Sequence, residues 1–240
     1  MKLVKILLLV STFVLNFTYS QTLKDIDGNT YNLITINKLQ WMASNLSVKR
    51  FKNGEKIMHA QTEQEWLYAS KNKLPAWCYY EDENGVDTKT ILYNWYAVVD
   101  PRGLAPMGSH IPTVFEWDDF INALGGENVT SRKIMAKTGW ETNQNFEEHP
   151  ANVFNAKPVG SRYANLSPTT HWYDGKSKGK YTNFWTSTSW KENFQHEYAY
   201  RIGLAYNYSS IINELEGGFA GTLNFKGNGY SVRCVLDFIP

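Results

Sequence analysis

Pro112-Thr-Val-Phe-Glu-Trp-Asp-Asp-Phe-Ile-Asn-Ala-Leu-Gly-Gly126 is the clearest helix in the chain, and it sets the fold class. Thr113 with Glu116 three residues later forms a capping box, in which each side chain satisfies a backbone N–H that the first helical turn leaves open. Gly125-Gly126 ends the helix. Phe115, Phe120, Ile121 and Leu124 are expected on one side at helical spacing. A second capping box, Thr62-Glu-Gln-Glu65, opens a shorter helix with Trp66, Leu67 and Ala69 as its apolar face. Ser131 to Lys137 is a further short candidate.

Outward from these helices the pattern turns to strands. Leu23 to Ile36 reads as two short strands around Asp27-Gly28, a favoured hairpin turn. Leu39 to Ala43 and Ala76 to Tyr80 follow. The C-terminal third gives Phe184 to Trp190, His196 to Tyr206, Ser209 to Asn213 and Gly229 to Leu236. Alternation in Tyr198-Ala-Tyr-Arg-Ile-Gly-Leu marks a half-buried strand. From Gly139 to Gly179 no period persists, and Asn, Thr, Pro and Gly recur as in loops. No internal repeat and no linker divides the chain. The expectation is one α+β domain over residues 21–240, with about two helices packed on irregular antiparallel sheets and joined by long loops.

The N-terminus has a different character. Lys2 and Lys5 precede an apolar run from Ile6 to Phe17, too short to span a bilayer. Thr18 and Ser20 then place small residues at −3 and −1 before Gln21. This layout predicts a cleavable signal peptide over residues 1–20, and hence a periplasmic, cell-surface or extracellular protein. No cysteine at the cleavage point supports a lipid anchor. Loss of Lys2 and Lys5 leaves 22 basic against 23 acidic residues, net −1. So balanced a chain has no electrostatic reason to bind nucleic acid. No later run is long and apolar enough for membrane insertion. The two cysteines, Cys78 and Cys234, allow one bridge in an exported protein; two separate thiols are the other reading.

Several stretches carry a family pattern together. They are Asp25-Ile-Asp-Gly-Asn-Thr-Tyr31, Gln40-Trp-Met-Ala-Ser-Asn-Leu46, Leu92-Tyr-Asn-Trp-Tyr-Ala-Val98 and Asp100-Pro-Arg-Gly-Leu104. His110-Ile-Pro-Thr113, Phe184-Trp-Thr-Ser-Thr188 and Tyr230-Ser-Val-Arg-Cys234 complete the series. In order and spacing the chain resembles the Fibrobacter succinogenes major paralogous domain family, common in exported proteins of Bacteroidetes and Fibrobacteres. The resemblance runs from about Leu23 to Leu236. It implies a C-type-lectin-like fold near the formylglycine-generating-enzyme type, and no particular activity, because enzymes, receptors and binding proteins share that scaffold. The chain departs from the family pattern at Ala105 and Ser109, where members commonly carry Cys and Trp. A bridge through the first of those positions is therefore closed to it.

Each chemical constellation has a plainer explanation. Cys234 is the only thiol near the C-terminus and is expected in a bridge or in the core. Glu116, Asp118 and Asp119 lie in the first turns of a helix, where capping and the helix dipole account for them. The five histidines, His59, His110, His149, His171 and His196, lack short metal-ligand spacing, and His110 is expected to make a structural hydrogen bond. The acidic loop Glu81 to Asp87 offers hard oxygen ligands without the order of an EF-hand. The Glu-Pro-Asn and Gln-Pro-Asp tripeptides of calcium-dependent lectins are absent. No metal and no cofactor is expected. Trp41, Trp95, Trp117 and Trp185 read as core.

Trp172 and Tyr173 in a Gly/Ser/Lys-rich loop, with Trp190, Tyr206 and Tyr208 at strand ends, are the expected ligand contacts. The expected function is a non-catalytic binding module for a glycan or a surface protein. An enzyme on the same scaffold, or a structural surface protein, is the alternative.

Overall fold

The computed structural model describes residues 22–81, 87–141, 146–164, 179–190, 197–205 and 222–237. Five strands form the central sheet. They are β1 (Thr22–Lys24), β2 (Thr30–Ile36), β3 (Leu39–Met42), β7 (Ser109–His110) and β11 (Val235–Leu236), in the order β1-β2-β3-β11-β7. Two three-stranded sheets flank it. One joins β4 (Met58–His59), β5 (Ala76–Glu81) and β6 (Asp87–Tyr93); the other joins β8 (Tyr181–Ser189), β9 (Tyr198–Ala205) and β10 (Thr222–Phe225). All pairings in named strands are antiparallel except β4 with β5. The helices are α1 (Glu63–Lys71), the single turn α2 (Trp95–Val98), α3 (Val114–Ala123) and α4 (Glu127–Ile134). The class is α+β, as the sequence implies, with more helix than expected.

The central sheet is buried on both faces, and β2 shows how. Tyr31 and Leu33 point into one apolar cluster, together with Met42, Trp77, Trp95, Trp185 and Cys234. Ile34 and Ile36 point into another, with Trp41, Trp117, Phe120, Phe154 and Phe184. Successive strand residues face opposite sides, so Trp41 and Met42 on β3 also divide between the two. A third, smaller cluster under α1 holds Trp66, Cys78, Tyr80 and Leu92. The four tryptophans read as core are at most 7% exposed.

Both capping boxes form. Thr62 and Thr113 each accept the N–H of the glutamate three residues on, and that glutamate returns to the cap. Thr113→Ala is expected to cost about 1 kcal/mol, read as a lower urea midpoint with unchanged slope. The buried face of α3 differs from expectation. It consists of Val114, Trp117, Phe120 and Ile121, with the cap residue Leu124, whereas Phe115 is 61% exposed. Phe115 shares its face with Asp119 and Asn122, at i+4 and i+7, and both are exposed.

Two further expectations are corrected. Gly229 to Leu236 is not one strand. It is a seam whose partners come from different sheets. Tyr230 exchanges backbone bonds with Tyr93, Ser231 bridges Asn183 and Trp185, and Cys234 accepts from Met42. Only Val235–Leu236 joins a ladder. The Cys78–Cys234 bridge is also absent, and both cysteines are buried thiols. Cys78 pairs opposite Leu92 inside the cluster under α1, while Cys234 belongs to a separate cluster beside the central sheet. Each sulfur is walled into a different part of the core. Burial pushes the Cys234 thiol well above its ordinary pKa, so it stays protonated and unreactive at neutral pH.

Candidate functional site

Of the five aromatic residues expected to touch a ligand, Trp190 lies among the described residues; Trp172, Tyr173, Tyr206 and Tyr208 lie outside them. Trp190 follows the last residue of β8 and is partly exposed. Its N–H donates to the Tyr198 carbonyl at 3.1 Å, and its ring meets Tyr200 edge-on at 5.7 Å. Most of the acidic loop from Glu81 to Asp87 also falls outside the described residues. Among the described residues, no group of three or more His, Cys, Asp or Glu is placed to hold a metal. None of their helices is long and apolar enough to cross a membrane.

His110 is accounted for by structure. Its Nε2 meets Glu116 Oε1 at 2.7 Å and its Nδ1 meets Asp237 Oδ1 at 2.7 Å. The Glu116 contact raises the imidazole to about 8 against the pull of burial, and Asp237 adds to the rise. Burial pushes the Glu116 carboxyl up. The bonds from His110 and Thr113 outweigh it and hold that carboxyl below the usual range. Because the folded histidine titrates above its ordinary value of 6.5, its contribution is complete below 6.5 and is lost as the pH rises through about 8. The melting temperature should fall across that window, and His110→Gln should flatten the fall. An unchanged profile in the variant would remove His110 as its source.

A cleft of about 190 Å³ opens where four separate segments meet. Ser44, Asn45 and Ser47 come from the run after β3, and Lys89, Thr90 and Ile91 from β6. Asn155, Lys157 and Val159 follow the 3-10 turn Pro150–Phe154, and Arg233 forms the floor. The β5–β6 ladder shifts register between Tyr79 and Glu81, opposite the position of Lys89. Lys89 and Asn155 take left-handed backbone, at φ 57° and 53°. Conformations of this kind cost energy in non-glycine residues and recur at binding sites.

Arg233 organises the floor. It is 1% exposed. Its Nε donates to Asn45 Oδ1 at 2.7 Å, and its Nη1 to the carbonyls of Met42 at 2.8 Å and Phe154 at 2.9 Å. Its Nη2 donates to the Asn155 carbonyl at 3.3 Å. The guanidinium lies 4.3 Å from the centre of the Phe154 ring and 5.5 Å from that of Phe184. Burial pulls it down to about 9, still charged at neutral pH. Among the described residues, none of the groups that hold it is a carboxylate. The sequence signal for this residue was its place between Val232 and Val235, since an arginine inside an apolar run is rarely buried without a purpose. Its neighbours in the cleft had no local signal, because they meet only through the fold.

A family model described as the Fibrobacter succinogenes major domain matches residues 34–236. No curated protein and no solved structure matches the chain.

Proposed function

The chain belongs to the Fibrobacter succinogenes major domain family, and from that premise we propose that it is an exported, non-catalytic, lectin-like binding module that holds part of a glycan in the cleft over Arg233. The observation that carries this reading is the lining of the cleft. Amides, hydroxyls and an ammonium group from Asn45, Ser47, Thr90, Asn155 and Lys157 line it together with the partly exposed Val159 and the buried Leu46 and Ile91. Sugars present hydroxyls on their rims and C–H faces on their rings, and such a mixed wall suits both. Ligand sites generally combine an apolar lining with a few placed polar groups in this way. The cleft is smaller than the ~300–1,000 Å³ of pockets that enclose a whole drug-sized ligand. It therefore suits one ring or one end group of a longer chain. The aromatic set Trp172, Tyr173, Trp190, Tyr206 and Tyr208 belongs to the same proposal as a second contact surface.

A glycan array probed with residues 21–240 tests the reading. Ser44→Trp places a bulky ring at an exposed lip position of the cleft. It should weaken a positive hit by about ten-fold or more, while Trp190→Ala should do so only if the aromatic surface also makes contact. An array with no hit, alongside capture of a surface protein, would turn the partner from glycan to protein.

A further inference from the structure

We infer that the ligand group seated over Arg233 is an anion carried on a saccharide, a carboxylate or a sulfate half-ester. This rests on the glycan-binding reading above and specifies its chemistry. Buried cations in folded proteins are ordinarily matched by a carboxylate or a phosphate. Arg233 is not. Its acceptors are three backbone carbonyls and one side-chain amide, all of them neutral. Those bonds use four of the five N–H donors of a guanidinium. The fifth, on Nη2, remains on a residue that lines the cleft.

The rest of the lining points the same way. Lys157 stands exposed at the rim with no acidic partner among the described residues. Lys89 lines the same cleft, and among the described residues no aspartate or glutamate does. A neutral sugar would leave the buried charge as it is. An anion would supply the missing countercharge and accept a charge-assisted hydrogen bond, the stronger kind. The surrounding amides and hydroxyls would then serve the ring that carries it.

The test titrates the 21–240 protein with a galacturonic acid tetramer, its methyl ester, a sulfated tetramer and inorganic sulfate. The methyl ester keeps the backbone and removes the charge. The acid or the sulfated form should bind about ten-fold more tightly than the ester and lose affinity as salt is raised. The tighter of the two identifies the anion. Lys157→Glu should abolish that preference at unchanged melting temperature, which keeps the test clear of the folding role of Arg233. Equal binding of ester and acid would overturn the anion and leave the glycan reading standing. Binding of none of the saccharides would take both down. Inorganic sulfate competing as well as the acidic tetramer would overturn the saccharide carrier.

Discussion

Arg233→Met should destabilise the protein by about 3–5 kcal/mol, because it leaves several buried acceptors unmet at once. Methionine fills much of the same space and removes a buried charge. Where an ion pair is replaced whole, such an exchange is often neutral. Arg233 is a different case, because its partners are main-chain carbonyls of Met42, Phe154 and Asn155 and cannot be removed with it. Each buried acceptor left unmet costs about 1–3 kcal/mol. Water reaching in from the cleft would meet some of them, so the full sum is not expected. The variant also loosens the tie between β3 and the 3-10 turn, which touch the same guanidinium. Against total stabilities of about 5–15 kcal/mol, the loss should lower the melting temperature by about 10 °C. Arg233→Lys keeps the charge and part of the donor set and should fall between. A urea midpoint within error of the parent for Arg233→Met would show that the clamp contributes nothing to the fold.

The elements that the sequence made legible are those set by local chemistry. Thr62 with Glu65 and Thr113 with Glu116 announce two helices because a capping box needs only four residues. The Asp27-Gly28 turn announces the β1–β2 hairpin for the same reason, and Gly28 takes φ +89° there. Phe115 was misplaced because five residues separate it from Phe120. Five steps of 100° leave the two side chains well apart on the helix. Tyr230-Ser-Val-Arg-Cys-Val alternates like a strand, yet its partners are Tyr93, Asn183, Trp185 and Met42 from several sheets, which no local pattern encodes. The fate of Cys78 and Cys234 depended on which cluster each one entered, again a tertiary matter. The cleft was illegible for the same reason, since Asn45, Thr90, Lys157 and Arg233 are far apart in the chain. Its one local trace was a charged residue between valines.

Trp117→Ala should be the most damaging change on the helix faces, at about 3–5 kcal/mol. Trp117 is fully buried and stands where α3 meets the central sheet. Its ring centre lies 4.7 Å from Trp41, 5.2 Å from Phe120, 5.6 Å from Phe184 and 5.9 Å from Phe154. Alanine would leave a cavity bordered by four rigid rings, and rings collapse poorly into a void. Phe115→Ala on the same helix is the exposed counterpart. It replaces a solvent-facing aromatic by the strongest helix former, and should shift stability by less than about 0.7 kcal/mol. Trp117→Phe is the finer test. The Trp117 indole N–H is buried and has no hydrogen-bond partner among the described residues. Phenylalanine loses ring volume but also removes that unmet donor, whose burial costs about 1–3 kcal/mol. Alanine removes the same donor but also the whole ring, so Trp117→Phe should cost about 1 kcal/mol and Trp117→Ala about 3–5 kcal/mol. Chemical denaturation of the three variants decides it. Equal losses for Phe115→Ala and Trp117→Ala would mean that the buried face of α3 has been misassigned. A Trp117→Phe loss well above ~1 kcal/mol would mean that the indole N–H is satisfied in solution.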